Sequence, residues 1–179
     1  MKETTLRDFI RIGGIVLAVG LVVPQIAIAA ATKEIEKQLL IEKTKRELEP
    51  GLDHLTKRII QIESQWYPKA VSPKKARGLM QITPIVLKEW NWHGNGRIHN
   101  KYDLFDPFIS VNIGKWYLHE RIGEHYLPNY GLDSHDENKA ASYNAGPVFI
   151  GKEIGDAKEN FHKLPKKTQN YLRKLWKLS

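Results

Sequence analysis

No stretch of this chain alternates apolar and polar residues for long enough to build a half-buried strand, so its core has to be assembled from helices. The clearest helix follows Pro50-Gly51, a pair that breaks the pattern before it. Leu52, Leu55, Ile59 and Ile62 then recur at steps of three and four, the spacing of one buried face. Glu63 closes the run, about 20° round the helix from Leu52 and about 40° from Ile59, so its carboxylate lies along the apolar stripe. An acid placed there resists ionising.

Further helices are marked by their ends. Pro68, Ser72 and Pro73 mark a loop, and Pro84 opens the helix after it. Asp106-Pro107 predicts another start, because Asp caps free amides and Pro gives up a donor that no carbonyl would have used. That helix is expected to run to about Glu124. The next, capped by Asp133, Ser134 or Asp136, ends at Asn144-Ala145-Gly146-Pro147, where Gly permits a left-handed cap and Pro forbids continuation. A last helix opens at Pro165 and buries Tyr171, Leu172 and Leu175. The fold class is mainly α, and 179 residues are enough for one domain with a proper core.

Ahead of the domain, Lys2, Arg7 and Arg11 precede an apolar run over 12–23, followed by the small residues Ala27-Ile28-Ala29-Ala30-Ala31. This order reads as a signal peptide cleaved after Ala29. The alternative is an uncleaved anchor, since 12–31 is roughly the twenty residues that span a bilayer. Residues 1–31 are therefore signal or anchor, 32–50 a charged helix or linker, and 51–179 the folded domain. Within the linker Ile35, Leu39, Leu40 and Ile41 have loosely helical spacing among many Lys and Glu. Absence of cysteine rules out disulfides, cysteine metal sites and a lipid on an N-terminal cysteine. A net charge of +8 favours a polyanionic partner, and export leaves nucleic acid the poorest candidate beside a membrane surface or a cell-wall polymer.

Three blocks carry the chemistry: Glu63-Ser64 with the loop through Ser72, then Gly78-Leu79-Met80-Gln81, then Ala141-Ser142-Tyr143-Asn144-Ala145-Gly146. Asp106-Pro107 with Gly114, Trp116, Tyr117 and Leu118, and Leu164-Pro165 with Thr168, Gln169 and Tyr171, follow in register. In order and spacing these five blocks resemble the soluble lytic transglycosylase family. The resemblance covers roughly Leu52 to Leu175. Ser110, Lys75, Ser142 and Lys167 depart from the family pattern, standing where Asn, Gly, Ala and Glu are usual.

The resemblance implies a lysozyme-like fold with a substrate groove, and cleavage of the MurNAc-GlcNAc β-1,4 bond of peptidoglycan. It also implies one catalytic acid, Glu63. That acid protonates the glycosidic oxygen and then, as carboxylate, takes a proton from the sugar's C6 hydroxyl, leaving a 1,6-anhydro-muramic end with no cofactor and no metal. Ser72, Gln81, Tyr143 and Asn144 match the family's substrate-binding positions, with Ser72 and Gln81 donating to the sugar and Tyr143 placing its hydroxyl near Glu63. Met80 is expected to pack beneath the groove. The expected location is the periplasm, inner-membrane anchored if the leader stays, and a secretion or conjugation apparatus stays open as a partner.

Other readings of the same residues are weaker. Asp103 and Asp106 are the obvious second carboxylates of a hydrolytic lysozyme, but Asp106 reads better as a cap. Tyr143 and Asn144 also suit a core aromatic and a helix cap, and Ser72 a turn. His119 and His125 are six apart, on opposite helix faces, and do not make a zinc site. Trp66 and Trp92, in or beside loops, are the tryptophans to test for stacking on sugar. A non-catalytic wall-binding module of a secretion or conjugation apparatus is the alternative to an enzyme.

Overall fold

The computed structural model describes residues 25–93 and 99–178. The chain divides after Ile35, and the unit Glu36–Ser179 holds the folded domain. Of the signal or anchor expected over 1–31, residues 1–24 lie outside the described residues. Among the described residues no helix is long and apolar enough to cross a membrane.

Helix α1 (Gln25–Leu48) is exposed along most of its length. Its last turns differ: Thr44 and Leu48 are buried and Ile41 packs on the core. The charged stretch before Pro50 is thus a helix with a docked C-terminal end. Helix α2 (His54–Glu63) starts at Asp53, whose carboxylate accepts from the Thr56 N–H at 2.9 Å and the Thr56 hydroxyl at 2.7 Å. Its buried row is Leu55, Thr56, Ile59 and Ile60, while Leu52 and Ile62 are only partly covered. The row is turned slightly from the expected one, and Glu63, three residues past Ile60 and four past Ile59, continues it.

Helix α3 (Pro84–Trp92) is capped by Thr83 and followed, past the loop, by α4 (Pro107–Lys115). Asp106 caps α4 through one oxygen that accepts from Phe108 N–H at 2.9 Å and Ile109 N–H at 3.1 Å. The helix does not stop near Glu124. It passes into π-helix over Trp116–Tyr126 and closes with the turn Leu127–Asn129. The wider turn keeps Trp116, Leu118, Ile122 and Gly123 buried, and fully buried Leu127 carries the helix onward into the core. Glu89 of α3 ties onto this segment, meeting Arg121 at 2.7 Å and accepting from Tyr126 hydroxyl at 3.0 Å.

Helix α5 (Asp136–Ala145) is capped by His135, not by Asp133, Ser134 or Asp136. His135 Nε2 is held 2.7 Å from Asp156, which fixes the ring so that Nδ1 accepts from Asn138 N–H, while Ser134 donates to the Gly123 carbonyl. At the other end Gly146 takes φ +99°, and Pro147 begins a new turn. Helix α6 (Lys166–Lys177) begins after Pro165 and buries Tyr171, Leu172 and Leu175, as its spacing predicts. Helix α6 packs on both α2 and α5. Among the described residues β structure is limited to isolated bridges from Arg77 to Val71 and to Ile82.

A candidate active site around Glu63

Glu63 ends α2, with the Ser64 N–H donating back to the Ile60 carbonyl. Gln65 and Trp66 then take φ values of +52° and +64°, an unusual pair of left-handed residues that turns the chain off the helix axis. The turn leaves the carboxyl at a helix end and drives Trp66 into the core at 3% exposure. Trp66 is therefore no sugar platform, whereas Trp92, at the end of α3, is 84% exposed. Sequence spacing could not show this, because the burial depends on backbone angles that most residues avoid.

The carboxyl opens into a cleft of about 430 Å³. Ser72, Ala76, Gln81 and Thr83 line it from the loop between α2 and α3, Tyr143 and Asn144 from the end of α5, and Lys167 from the start of α6. The structure thus brings Glu63, Ser72, Gln81, Tyr143 and Asn144 together, and Glu63 is the sole carboxyl among the described lining residues. Asp106 is occupied as the α4 cap, and Asp103 binds Asn100 through both oxygens at 2.9 Å, so neither joins Glu63.

Each polar neighbour has part of its bonding capacity committed. Ser72 Oγ accepts from Ala76 N–H at 3.1 Å, which both closes the turn and leaves its own proton for an acceptor in the cleft. Gln81 sits at φ +49° and donates its amide to the Ala70 carbonyl at 3.2 Å and the Gly78 carbonyl at 3.0 Å. Both donors are spent on the loop, so Gln81 can offer a ligand only its oxygen, not the donor expected of it. Asn144 accepts from the Thr168 hydroxyl at 3.1 Å, bridging α5 to α6 and leaving its NH₂ for the cleft.

Tyr143, expected to place its hydroxyl near Glu63, lies close enough for the Glu63 charge to act on it, and its hydroxyl donates to the Met80 carbonyl at 2.7 Å. Tyr171, from α6, also brings its hydroxyl near enough to Glu63 to act on the carboxyl. The contact is loose, since no partner of the buried Tyr171 hydroxyl among the described residues meets full hydrogen-bond geometry. Sequence reasoning placed Tyr171 in the core and missed this. Its block, Thr168-Gln169-x-Tyr171, was the available signal, but a pairing across 108 positions is not a local pattern (171 − 63).

Burial pushes the Glu63 carboxyl above its ordinary value of 4.5, and the Tyr171 bond and the Lys167 ammonium pull the other way without overcoming it. Tyr143 and Tyr171 are themselves raised well above 10.0, first by burial and then by the Glu63 charge. The loop beneath is tightly seated. Ser110 Oγ accepts from Met80 N–H at 3.2 Å, Met80 is fully buried, and a Cβ on Gly114 would collide with its sulfur. Gly78, at φ +78°, leaves no room for a Cβ against the Leu104 carbonyl. Lys75 holds φ +63°, an angle that favours glycine.

Residues 30–164 match the family described as the transglycosylase SLT domain. The chain belongs to the transglycosylase SLT domain family. The soluble lytic murein transglycosylase of Escherichia coli strain K12 is 33% identical over 99 residues, 53% of this chain and 14% of that protein. Among solved structures, the 70 kDa soluble lytic transglycosylase of E. coli overlays with a TM-score of 0.55 at 25% identity, covering 75% of this chain and 22% of that one. The lytic transglycosylase Slt of Pseudomonas aeruginosa, solved as an inactive Glu-to-Gln mutant, gives 0.58 at 20% identity over 79% of this chain and 23% of that one. The fold is thus mainly α and lysozyme-like. This chain spans less than a quarter of the length of these relatives. Lys167 and Tyr171 lie beyond the segment that matches the SLT domain family.

Proposed function

We propose that this chain is a lytic transglycosylase that cleaves the MurNAc-GlcNAc bond of peptidoglycan, with Glu63 as acid and then base. The observation that carries the reading is a single carboxyl, raised by burial, in a cleft whose described lining offers no second one. Hydrolysis by two carboxylates needs a partner to act as nucleophile or to activate water. One acid that gives up its proton to the leaving oxygen needs only to take another back.

Ser72 and the Asn144 amide would donate to sugar oxygens, and Gln81 would accept from an N-acetyl N–H. Tyr143 would act from behind by fixing the Met80 carbonyl and shielding Glu63 from water. Trp92 stays the candidate for stacking on sugar. The same reading includes export to the periplasm on residues 1–31, with membrane attachment if they are retained, a linker over 32–50 and a catalytic domain over 51–179.

Digestion of purified sacculi followed by mass spectrometry tests the reading. Anhydro-muramic ends that vanish with Glu63→Gln are expected. Reducing ends in their place would assign a hydrolytic lysozyme, and no cleavage with wall binding retained would assign a non-catalytic module.

A further inference from the structure

A cleft of about 420 Å³ opens between α3 and the start of the π-helical stretch, lined by Trp90, Asn112, Lys115, Trp116, His119 and Glu120. It is distinct from the acid cleft, with which it shares no lining residue. His119 Nε2 lies 3.4 Å from the Asp53 carboxylate and 3.4 Å from the Thr56 hydroxyl, which puts this cleft by the first turn of α2. Glu63 is in the last turn, roughly 15 Å along the axis.

The floor is aromatic. Trp90 and Trp116, 5% and 7% exposed, meet edge to face with their centroids 5.2 Å apart. The indole N–H of Trp90 is buried and has no hydrogen-bond partner among the described residues. A buried indole N–H ordinarily finds an acceptor, so this one is a donor whose partner the protein does not supply. The rim is polar, with one ammonium, Lys115, set against one carboxylate, Glu120, beside the Asn112 amide. Among the described residues none of these three side chains is in a hydrogen bond or ion pair. Trp116, His119 and Glu120 belong to the first turn of the π-helix, a widened geometry that often accompanies a functional site.

We propose that this cleft is a second glycan site, which binds a neutral N-acetylhexosamine unit of the wall polymer away from the reacting bond. The inference rests on the peptidoglycan reading above. An acetamido group combines a methyl, a carbonyl and an N–H. The indole corner suits the methyl, the Trp90 N–H donates to the carbonyl, and Glu120 or the Asn112 oxygen accepts from the N–H. The balanced pair Lys115 and Glu120 favours a neutral ligand over a polyanion, and the volume falls within the roughly 300–1,000 Å³ usual for ligand pockets. A strand held here would keep the chain on the wall between cleavage events.

Nitrogen NMR of the labelled full chain carrying Glu63→Gln provides the test, with chitotetraose, a soluble run of N-acetylglucosamine, as the probe. The chain has five tryptophans, and Trp90→Phe identifies the indole signal that matters. That signal is expected to move and saturate as chitotetraose is added. Asn112→Ala with Glu120→Ala, both exposed, should weaken the response roughly tenfold while the Asn144 side-chain amide in the acid cleft titrates within about twofold of before. The same pair should lower retention on sacculi by about threefold. A Trp90 signal that stays still while the Asn144 amide responds would overturn the proposal, as would a response untouched by the two substitutions. Movement with free stem peptide but not with chitotetraose would assign the cleft to peptide and overturn it equally. If the unaltered chain does not cleave sacculi, the enzyme reading fails; if it does and the Trp90 signal stays still, only the second site fails.

Discussion

Two carboxylates at helix junctions of this molecule have been pushed in opposite directions. Glu63, where α2 meets α6, is raised because burial outweighs one loose tyrosine bond and one lysine. Asp156, beside the start of α5, is also pushed up by burial, but the Glu159 N–H, His135 and Asn138 outweigh it and hold it down to about 2. The difference lies in donors. Asp156 is met by a ring nitrogen at 2.7 Å, an amide at 3.1 Å and two backbone N–H groups at 2.9 and 3.0 Å, a set that fits only the ionised form. One site spends its carboxylate on joining two segments, and the other withholds such partners and so holds its proton more tightly.

The largest expected effect breaks the comparison at its chemical end. Glu63→Gln should lower turnover on sacculi by about a hundred to ten thousandfold while wall binding persists, read by product analysis and pull-down. Asp156→Ala should leave turnover per folded molecule intact and lower unfolding free energy by about 1–3 kcal/mol, read by denaturant titration, because His135 and Asn138 lose their acceptor.

Stability against pH sharpens the contrast. Asp156 is depressed, so its contribution is present above its ordinary value of 3.8 and is lost as pH falls towards about 2. Glu63 is raised, so its burial is best tolerated below 4.5 and opposes folding as pH rises through its folded value. Glu63→Gln should therefore raise the melting temperature at neutral pH, and Asp156→Asn should lower it there but not at pH about 2.

The smallest effects separate the two groups that temper Glu63. Tyr171→Phe removes the larger opposing influence and Lys167→Gln the smaller. Each should move the alkaline limb of kcat/KM to higher pH, Tyr171→Phe further, and only the Lys167 shift should shrink with added salt.

Much of this was legible along the chain because it depends on neighbours a few residues apart. The Asp106-Pro107 start, the Gly146-Pro147 stop and the apolar row leading to Glu63 are of that kind; the first two stand in the structure, and the row stands turned slightly, onto Leu55, Thr56, Ile59 and Ile60. What escaped depends on distant partners. His135 caps α5 because Asp156 holds its ring, although three residues of better capping type, Asp133, Ser134 and Asp136, stood beside it. Gln81 spends its donors on Ala70 and Gly78 because its own backbone is left-handed, and Tyr143 gives its hydroxyl to a carbonyl 63 residues away. The π-helical stretch after Lys115 likewise has no local signature in Trp116–Tyr126.

Direct titration of the Glu63 side chain by carbon NMR, with Glu63→Gln as the assignment control, tests the central claim. The account predicts a carboxyl that ionises above 4.5, with Lys167→Gln raising it further. A midpoint at or below 4.5 would mean that donors, not burial, govern this acid, and the chemistry assigned to the cleft would have no basis.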